Sequence, residues 1–317
     1  MLRRRVLEGI VVAPALLSCR IRTMSTSTPS SSSLITQAPL RRVSLGPVSL
    51  AFRAFQGVGT PVVFVHGSLE DHNGWRALLS TLRASGVPAP LLTYDRRGHG
   101  ASTVPPGQGV LREDVEDLVG VVQQLGTGRA HLVGHSYGAT IVLEASRLAP
   151  EIVESAFLVE PPLFGLLRDR PQYAAALASA KAAIADAVAQ LERGELDVGL
   201  ETFIDRVAFG PGAWRTRMDA ESRARMLANV DTWLDQARDP QRLQASPEGL
   251  AALGRRATLV TGTASLSTFS GIADALVESF AELQRVELTG AAHDAPATHP
   301  GALAEVLRAH LERNENR

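Results

Sequence analysis

The chain of 317 residues has a single cysteine, Cys19. It therefore forms no intrachain disulfide and no all-cysteine zinc or iron–sulfur site. It has no excess of either charge: 32 Lys+Arg stand against 33 Asp+Glu, a formal net charge of −1. That balance argues against a nucleic-acid binder, which needs a basic excess or a basic face. Its eight histidines are scattered, and none forms the His-Glu-x-x-His pattern that sets two zinc ligands on one helix face. The apolar run from Ile10 to Leu17 is too short to cross a bilayer as a helix, which takes about 20 residues. No stable membrane span is expected, and no repeat of fixed period is visible. What remains is ordinary for a globular protein, with 45% hydrophobic and 21% charged residues. The length suits two domains, or one domain carrying a large insertion.

Residues 1–40 stand apart. Arg3, Arg4 and Arg5 precede the apolar run, as in an export signal, and Leu16-Leu17-Ser18-Cys19 loosely resembles a lipoprotein processing site. An Arg- and Ser-rich start also suits an organelle transit peptide. Glu8 before the run, and Arg20 and Arg22 after it, oppose export. The competing expectation is a true start at Met24 and a cytoplasmic protein. Residues 25–39 are rich in Ser, Thr and Pro, the composition of a disordered linker.

From residue 41 strands and helices alternate. Residues 41–45 and 48–55, split by Gly46-Pro47, read as a β-hairpin. Short apolar runs at 62–65, 91–94, 130–133 and 156–159 read as buried strands. Helical spacing covers 75–82, 111–125 and 140–148. Residues 163–250 are rich in Ala, Arg and Glu and show no strand; they read as helices, for example around 173–191 and 221–237. Alternation resumes with strand 258–261, helix 272–283, strand 286–288 and helix 303–311. Such alternation implies a mostly parallel sheet covered on both faces. The domain expectation is a core of 41–162 and 251–317, interrupted by a helical cap at 163–250.

The chemistry concentrates where strands end. Gly134-His135-Ser136-Tyr137-Gly138 lies between a predicted strand and a predicted helix, the context of a Gly-x-Ser-x-Gly nucleophile elbow. The turn is sharp, so Gly134 and Gly138 supply space, and Ser136 is presented at a helix N-terminus. An attacking serine needs a base and donors for an oxyanion. His66-Gly67-Ser68 ends an earlier strand, and the backbone N–H groups of Ser68 and Tyr137 are the expected donors. His66 itself reads as structural. Gly290-Ala291-Ala292-His293 follows the last predicted strand, and in a serine-acid-histidine order His293 is the expected base. His299 ranks below it. His99 and His135 read as turn or packing residues. His131 and His135 are four apart but not on one helix face, so no metal is expected there.

His66-Gly67, the turn Asp95-Arg96-Arg97-Gly98-His99-Gly100, the elbow and the Gly290–His293 loop together resemble the α/β-hydrolase superfamily, in the right order over about residues 41–312. The resemblance implies an eight-stranded, mostly parallel sheet with a helical cap, no cofactor and a small-molecule substrate. One feature departs from it. Most relatives place an aspartate just after the strand that follows the cap. Here the stretch is Thr261-Gly262-Thr263-Ala264-Ser265-Leu266-Ser267, without a carboxylate, and Ser265 stands at the expected position. Glu160, ending the strand before the cap, is the natural substitute, because any carboxylate that reaches the imidazole Nδ1–H can orient and stabilise it. Asp294 is adjacent to His293 and Asp274 lies within a helix; both are weaker candidates.

Asp95, Arg96 and Arg97 are expected to hold their turn, and Trp75 to pack under the oxyanion loop. Glu70-Asp71-His72, just beyond that loop, reads as solvated, with a place facing the pocket entrance as the alternative. Phe203, Phe209, Trp214 and Trp233 are the large apolar residues of the cap and could line an acyl pocket or fix helices. The functional expectation is a serine hydrolase acting on a small or medium, fairly apolar ester. Kept beside it are a cofactor-free haloperoxidase or perhydrolase, a lyase on the same residues, and a noncatalytic ligand-binding protein. Serine at the elbow counts against epoxide-hydrolase and dehalogenase chemistry, which needs a carboxylate nucleophile.

Overall fold

Each central strand is a short apolar run whose two faces are both buried, and alternate residues feed two separate cores. In β3 (Val62–Val65) the side chains of Val62 and Phe64 join one cluster, while Val63 and Val65 join the other. This is the two-residue period of a strand with no solvent face. The computed structural model describes residues 38–315 apart from Pro106 and Thr127. The readings of Arg3, Arg4, Arg5, Cys19, Met24 and the segment 25–37 lie outside the described residues.

Eight strands form one sheet. β1 (Arg41–Leu45) and β2 (Val48–Phe55) make the expected hairpin, and β2 pairs antiparallel with β4 (Leu91–Tyr94). All other pairs are parallel, in the order β1-β2-β4-β3-β5-β6-β7-β8, with β5 Ala130–His135, β6 Val153–Val159, β7 Ala257–Gly262 and β8 Gln284–Leu288. Helices α1 (Arg76–Ala84) and α12 (Pro300–Glu315) supply the core on one face. Helices α2 (Leu111–Gln124), α3 (Tyr137–Leu148) and α10 (Ser267–Ser279) supply it on the other.

Between β6 and β7 the described residues hold helices only. The main ones are α4 (Ala174–Glu192), α5 (Leu196–Phe203), α6 (Ala213–Thr216), α7 (Ala220–Ala228), α8 (Val230–Arg238) and α9 (Gly249–Leu253). Leu191, Leu200, Ile204, Trp214, Met226 and Trp233 build a third core there, into which Leu69 of the sheet's own loop inserts. The segment Pro171–Glu192 reaches the length and hydropathy of a membrane-crossing helix. Within it Leu177, Ala180, Ala183, Ala187 and Leu191 are buried at three- and four-residue steps, the stripe of an amphipathic helix packed on one side.

Three boundaries differ from the sequence reading for identifiable reasons. The helix expected at 221–237 is broken at Asn229, whose amide donates to the Leu69 and Glu70 carbonyls and ties this segment to the loop after β3. α3 begins at Tyr137 rather than residue 140, directly on the elbow, because Gly138 conceals its first turn. α10 begins at Ser267 rather than residue 272; Gly271 inside it packs against the Tyr173 ring and interrupts the apolar pattern.

Candidate active site

The site forms where β3, β5, β6 and β7 end at their carboxyl side, the place where open parallel sheets bind ligands. Ser136 sits between β5 and α3 with φ 52° and ψ −123°. A left-handed non-glycine residue is sterically costly, and such strain gathers at functional sites. The neighbouring glycines are required by contact. A Cβ on Gly134 would fall 2.5 Å from the Ala139 Cα, and one on Gly138 would fall 2.1 Å from the Val65 carbonyl oxygen. The two other left-handed non-glycine residues among those described are Leu69, at φ 64°, and Glu160, at φ 48°. All three follow the ends of central strands.

The histidine-acid arrangement is explicit. His293 and Glu160 are both buried, and His293 Nδ1 donates to Glu160 Oε2 at 2.7 Å. The other carboxylate oxygen, Oε1, accepts from the Gly262 N–H at 2.7 Å and from the Ser265 hydroxyl at 2.5 Å. Ser265, at the position where the resemblance calls for an aspartate, thus holds the glutamate that takes the aspartate's place. Burial pushes the Glu160 carboxyl up, but hydrogen bonds from His293, Gly262 and Ser265 outweigh it and hold the group below the usual carboxylate range. Burial also holds His293 below the ordinary imidazole value; Glu160 opposes this and His135 reinforces it. The pair is therefore a carboxylate accepting from a neutral imidazole, which leaves the Nε2 lone pair available to take a proton.

Ser136, His293, Ser68 and Tyr137 all line one cavity of about 230 Å³. Ser68 lies on the loop after β3; a Cβ on the preceding Gly67 would sit 3.1 Å from the Ser136 Cβ, so this loop passes directly over the serine. Neither the Ser68 nor the Tyr137 N–H has a hydrogen-bond partner among the described residues. Two free amides beside a strained serine are what an oxyanion hole requires. The Ser68 hydroxyl donates to Gln236 Oε1 on α8 at 2.7 Å, which fixes the loop from above.

The remaining sequence candidates fall elsewhere. Asp294 faces the Arg217 guanidinium at 3.1 Å, and Asp274 accepts from the Tyr173 hydroxyl and Arg285, both at 2.6 Å. His299 touches Thr298, and His131 bonds to Ser155. His66 bridges the Gly67 carbonyl and the Arg96 N–H, both at 3.0 Å, as a neutral structural ring. Arg96 pairs with Asp114 and Arg97 with Asp117, holding their turn. Trp75 is buried against Phe64.

Two readings need correction. Glu70-Asp71-His72 is not a solvated stretch: His72 is buried with its Nδ1 2.6 Å from Asp95, and Glu70 lies 3.7 Å from His135 Nδ1. His135 does more than fill space, since its Nε2 donates to the His293 carbonyl at 2.7 Å, steadying the loop that carries the base. Burial lowers the pKa of His135, but Glu70 overcomes that and raises it. The sequence reading also missed Phe269, which stacks on the His293 ring at 4.2 Å and 18° and lines the cavity. Its only signal was an aromatic residue in the first turn of the helix that follows β7. Of the four large cap residues, Phe203 and Trp233 line the cavity, Phe209 packs near His293 at 5.6 Å, and Trp214 is buried in the helical core.

A family model described as the alpha/beta hydrolase family matches residues 62–306. The chain belongs to that family. This α/β hydrolase is 36% identical over 101 residues to a dihydrolipoyllysine-residue acetyltransferase component of an acetoin cleaving system from Pseudomonas putida, covering 32% of this chain and 26% of the relative. It is 32% identical over 118 residues to an sn-1-specific diacylglycerol lipase from Danio rerio, covering 36% of each chain. The matched regions thus span well under half of these relatives' length. Among solved structures, an epoxide hydrolase from Vigna radiata superposes with a TM-score of 0.66 at 17% identity, over 88% of this chain and 99% of that one. That likeness shows a shared fold. The family match places the catalytic-type elbow, the base and the acid in one fold, and the cavity beside them holds about 230 Å³.

Proposed function

We propose that the protein is a serine hydrolase that cleaves a small or medium, fairly apolar ester through an acyl-enzyme. The observation that carries this reading is the buried 2.7 Å contact between His293 Nδ1 and Glu160, set in the cavity that Ser136 shares. In this mechanism His293 takes the Ser136 proton through Nε2, and Ser136 attacks the carbonyl carbon. The Ser68 and Tyr137 N–H groups hold the oxyanion, and His293 returns the proton to the leaving alcohol. Water, deprotonated by the same imidazole, then releases the acid. Glu160 orients the ring and stabilises the imidazolium that forms. The cavity wall favours apolar acyl groups: Leu163, Phe164, Ile184, Phe203, Val207 and Trp233 line it. Opening an epoxide through an alkyl-enzyme ester needs a carboxylate nucleophile, and the elbow carries Ser136.

The test needs no knowledge of the substrate. Purified protein is treated with a fluorophosphonate, and intact mass is measured beside Ser136→Ala and Glu160→Gln. One adduct on wild type, none on Ser136→Ala and slow labelling of Glu160→Gln are expected. A folded wild type that stays unlabelled would overturn the reading.

A further inference from the structure

The cavity contains two cations that the ester mechanism does not use. Arg168, just after the loop that follows β6, and Arg242, in the turn Pro240–Gln244, both line it, together with Ser136 and His293. No aspartate or glutamate is among the lining residues. Neither guanidinium forms an ion pair among the described residues, although most arginines of the helical segment do, Arg193, Arg206, Arg215, Arg217, Arg225 and Arg238 among them. Among the described residues Arg242 makes one long hydrogen bond, from Nη2 to the Ala237 carbonyl at 3.4 Å. The carboxylate acting on it is Asp239. That carboxylate is already engaged by the Leu111 and Gln241 N–H groups, at 2.7 and 2.8 Å, and forms no ion pair with Arg242. Burial lowers the Arg242 pKa below the ordinary arginine value, as expected of a cation short of compensating charge. Arg168 is exposed and marks the open side of the cavity.

A half-buried guanidinium such as that of Arg242 that lacks a counter-charge gains from a ligand that supplies one. Its planar fork matches a carboxylate or phosphate with two parallel hydrogen bonds. We infer that the substrate is an anionic ester whose acyl part ends in a carboxylate, held by Arg242 and Arg168 while the apolar wall encloses the chain between. This rests on the ester-hydrolase reading and narrows it. The small volume fits a short chain, since sites for drug-sized ligands run to roughly 300–1,000 Å³.

The test is a matched pair of esters, 4-nitrophenyl hexanoate and mono-4-nitrophenyl adipate. Their acyl groups differ only by a terminal methyl against a carboxylate. Wild type is expected to favour the adipate ester by about tenfold or more in kcat/KM, the usual scale of a charged hydrogen bond. Arg242→Gln and Arg168→Gln should each bring that ratio toward one, and Arg242→Lys should keep part of it. Circular dichroism checks that each variant is folded, and Arg168→Gln, at an exposed position, is the safer of the two. A wild-type ratio at or below one overturns the inference and leaves the hydrolase reading standing, and so does a ratio that neither variant changes. If wild type turns over neither ester, the hydrolase reading is what fails. The anion site is then judged by thermal shift with adipate against 1-hexanol. Stabilisation by adipate alone, lost in Arg242→Gln, supports it, and no adipate shift overturns it.

Discussion

The sheet and the helical segment above it answer different questions. In the sheet, positions are dictated twice: by the period-two alternation that feeds both cores, and by the strand ends that must turn sharply. Ser136, Glu160 and the Ser68 loop follow consecutive central strands β5, β6 and β3, and each of those turns contains a left-handed residue. The helical segment carries only one constraint, that its apolar stripes pack somewhere. It is joined to the rest of the core by polar ties, among them Ser68 to Gln236, Asn229 to the Leu69 and Glu70 carbonyls, Thr232 to His99 and Arg217 to Asp294. The difference teaches where chemistry and selection separate. The sheet ends position Ser136, Glu160 and the Ser68 loop, while the helices supply much of the cavity wall, Ile184, Phe203, Val207 and Trp233 among them.

The largest expected effects test the sheet half. Glu160→Gln should lower kcat/KM on any ester by about 10³–10⁴, because the amide cannot stabilise the imidazolium and favours the wrong tautomer. Asp274→Asn should change it little, since Asp274 is engaged by Tyr173 and Arg285. Steady-state kinetics on 4-nitrophenyl butyrate decide between them. The reverse pattern would break the assignment of the acid.

The same contrast explains what could be read from the sequence. The strands at 62–65 and 91–94 were legible to the residue because each is a short apolar run, and those at 41–45 and 48–55 because Gly46-Pro47 splits them as a hairpin turn. Ser136 was legible from the glycines its sharp turn requires, and His293 from the serine-acid-histidine order of the family the chain resembles. Glu160 was legible only against that resemblance, which expects an acid in 261–267 where none stands; Ser265 as its donor was not, because a serine carries no signal of what it will bond. The helical segment was legible only as helices. Phe203 and Trp233 face the cavity while Trp214 does not, and composition does not distinguish them, since the choice depends on packing angles. Arg168 and Arg242 read like any surface arginine until their missing partners were visible.

Trp233→Ala should sharpen the comparison from the other side. Trp233 is buried against Phe203, with ring centroids 4.7 Å apart, and also lines the cavity. Truncation should cost about 3–5 kcal/mol of stability and shift the preferred acyl-chain length upward in a 4-nitrophenyl ester series. A rate loss equal at every chain length would show that the helices contribute to the chemistry as well.

Acid separates the two halves by stability. Beneath the sheet, the Ser155 hydroxyl bridges His131 Nδ1 and His310 Nε2, each at 2.7 Å, and Thr258 meets His310 Nδ1 at 2.8 Å. Burial pushes His310 down to about 3 and His131 down to about 4. Unfolded, both would titrate near 6.5. Between those values the unfolded chain binds more protons, so stability falls as pH falls. Their contribution is complete above about pH 6.5 and is lost progressively toward pH 4 and below, on the order of a few kcal/mol together. Urea unfolding at pH 7 and pH 5 should show this loss, and His310→Gln should flatten the slope if it folds. The activity limb is measured separately, at pH values where the protein stays folded. The depressed His293 pKa means that turnover at constant folded fraction falls only below the ordinary imidazole value.

The smallest effect concerns the residue that replaces the missing aspartate. Ser265→Ala removes one of three hydrogen bonds to Glu160 and leaves those from Gly262 and His293 in place. A hydrogen bond to a charged group is worth about 1.5–3 kcal/mol, and with two donors left only part of that reaches the transition state, so kcat/KM should fall roughly tenfold, with KM nearly unchanged. Losing a donor also lets burial raise the Glu160 carboxyl, weakening its hold on the ring. The double variant Glu160→Gln with Ser265→Asp asks whether the acid's position matters or only its reach. If the new carboxylate meets His293 Nδ1, part of the activity lost in Glu160→Gln returns. If none returns in a folded protein, the left-handed turn at Glu160 places the acid in a way that β7's loop cannot reproduce.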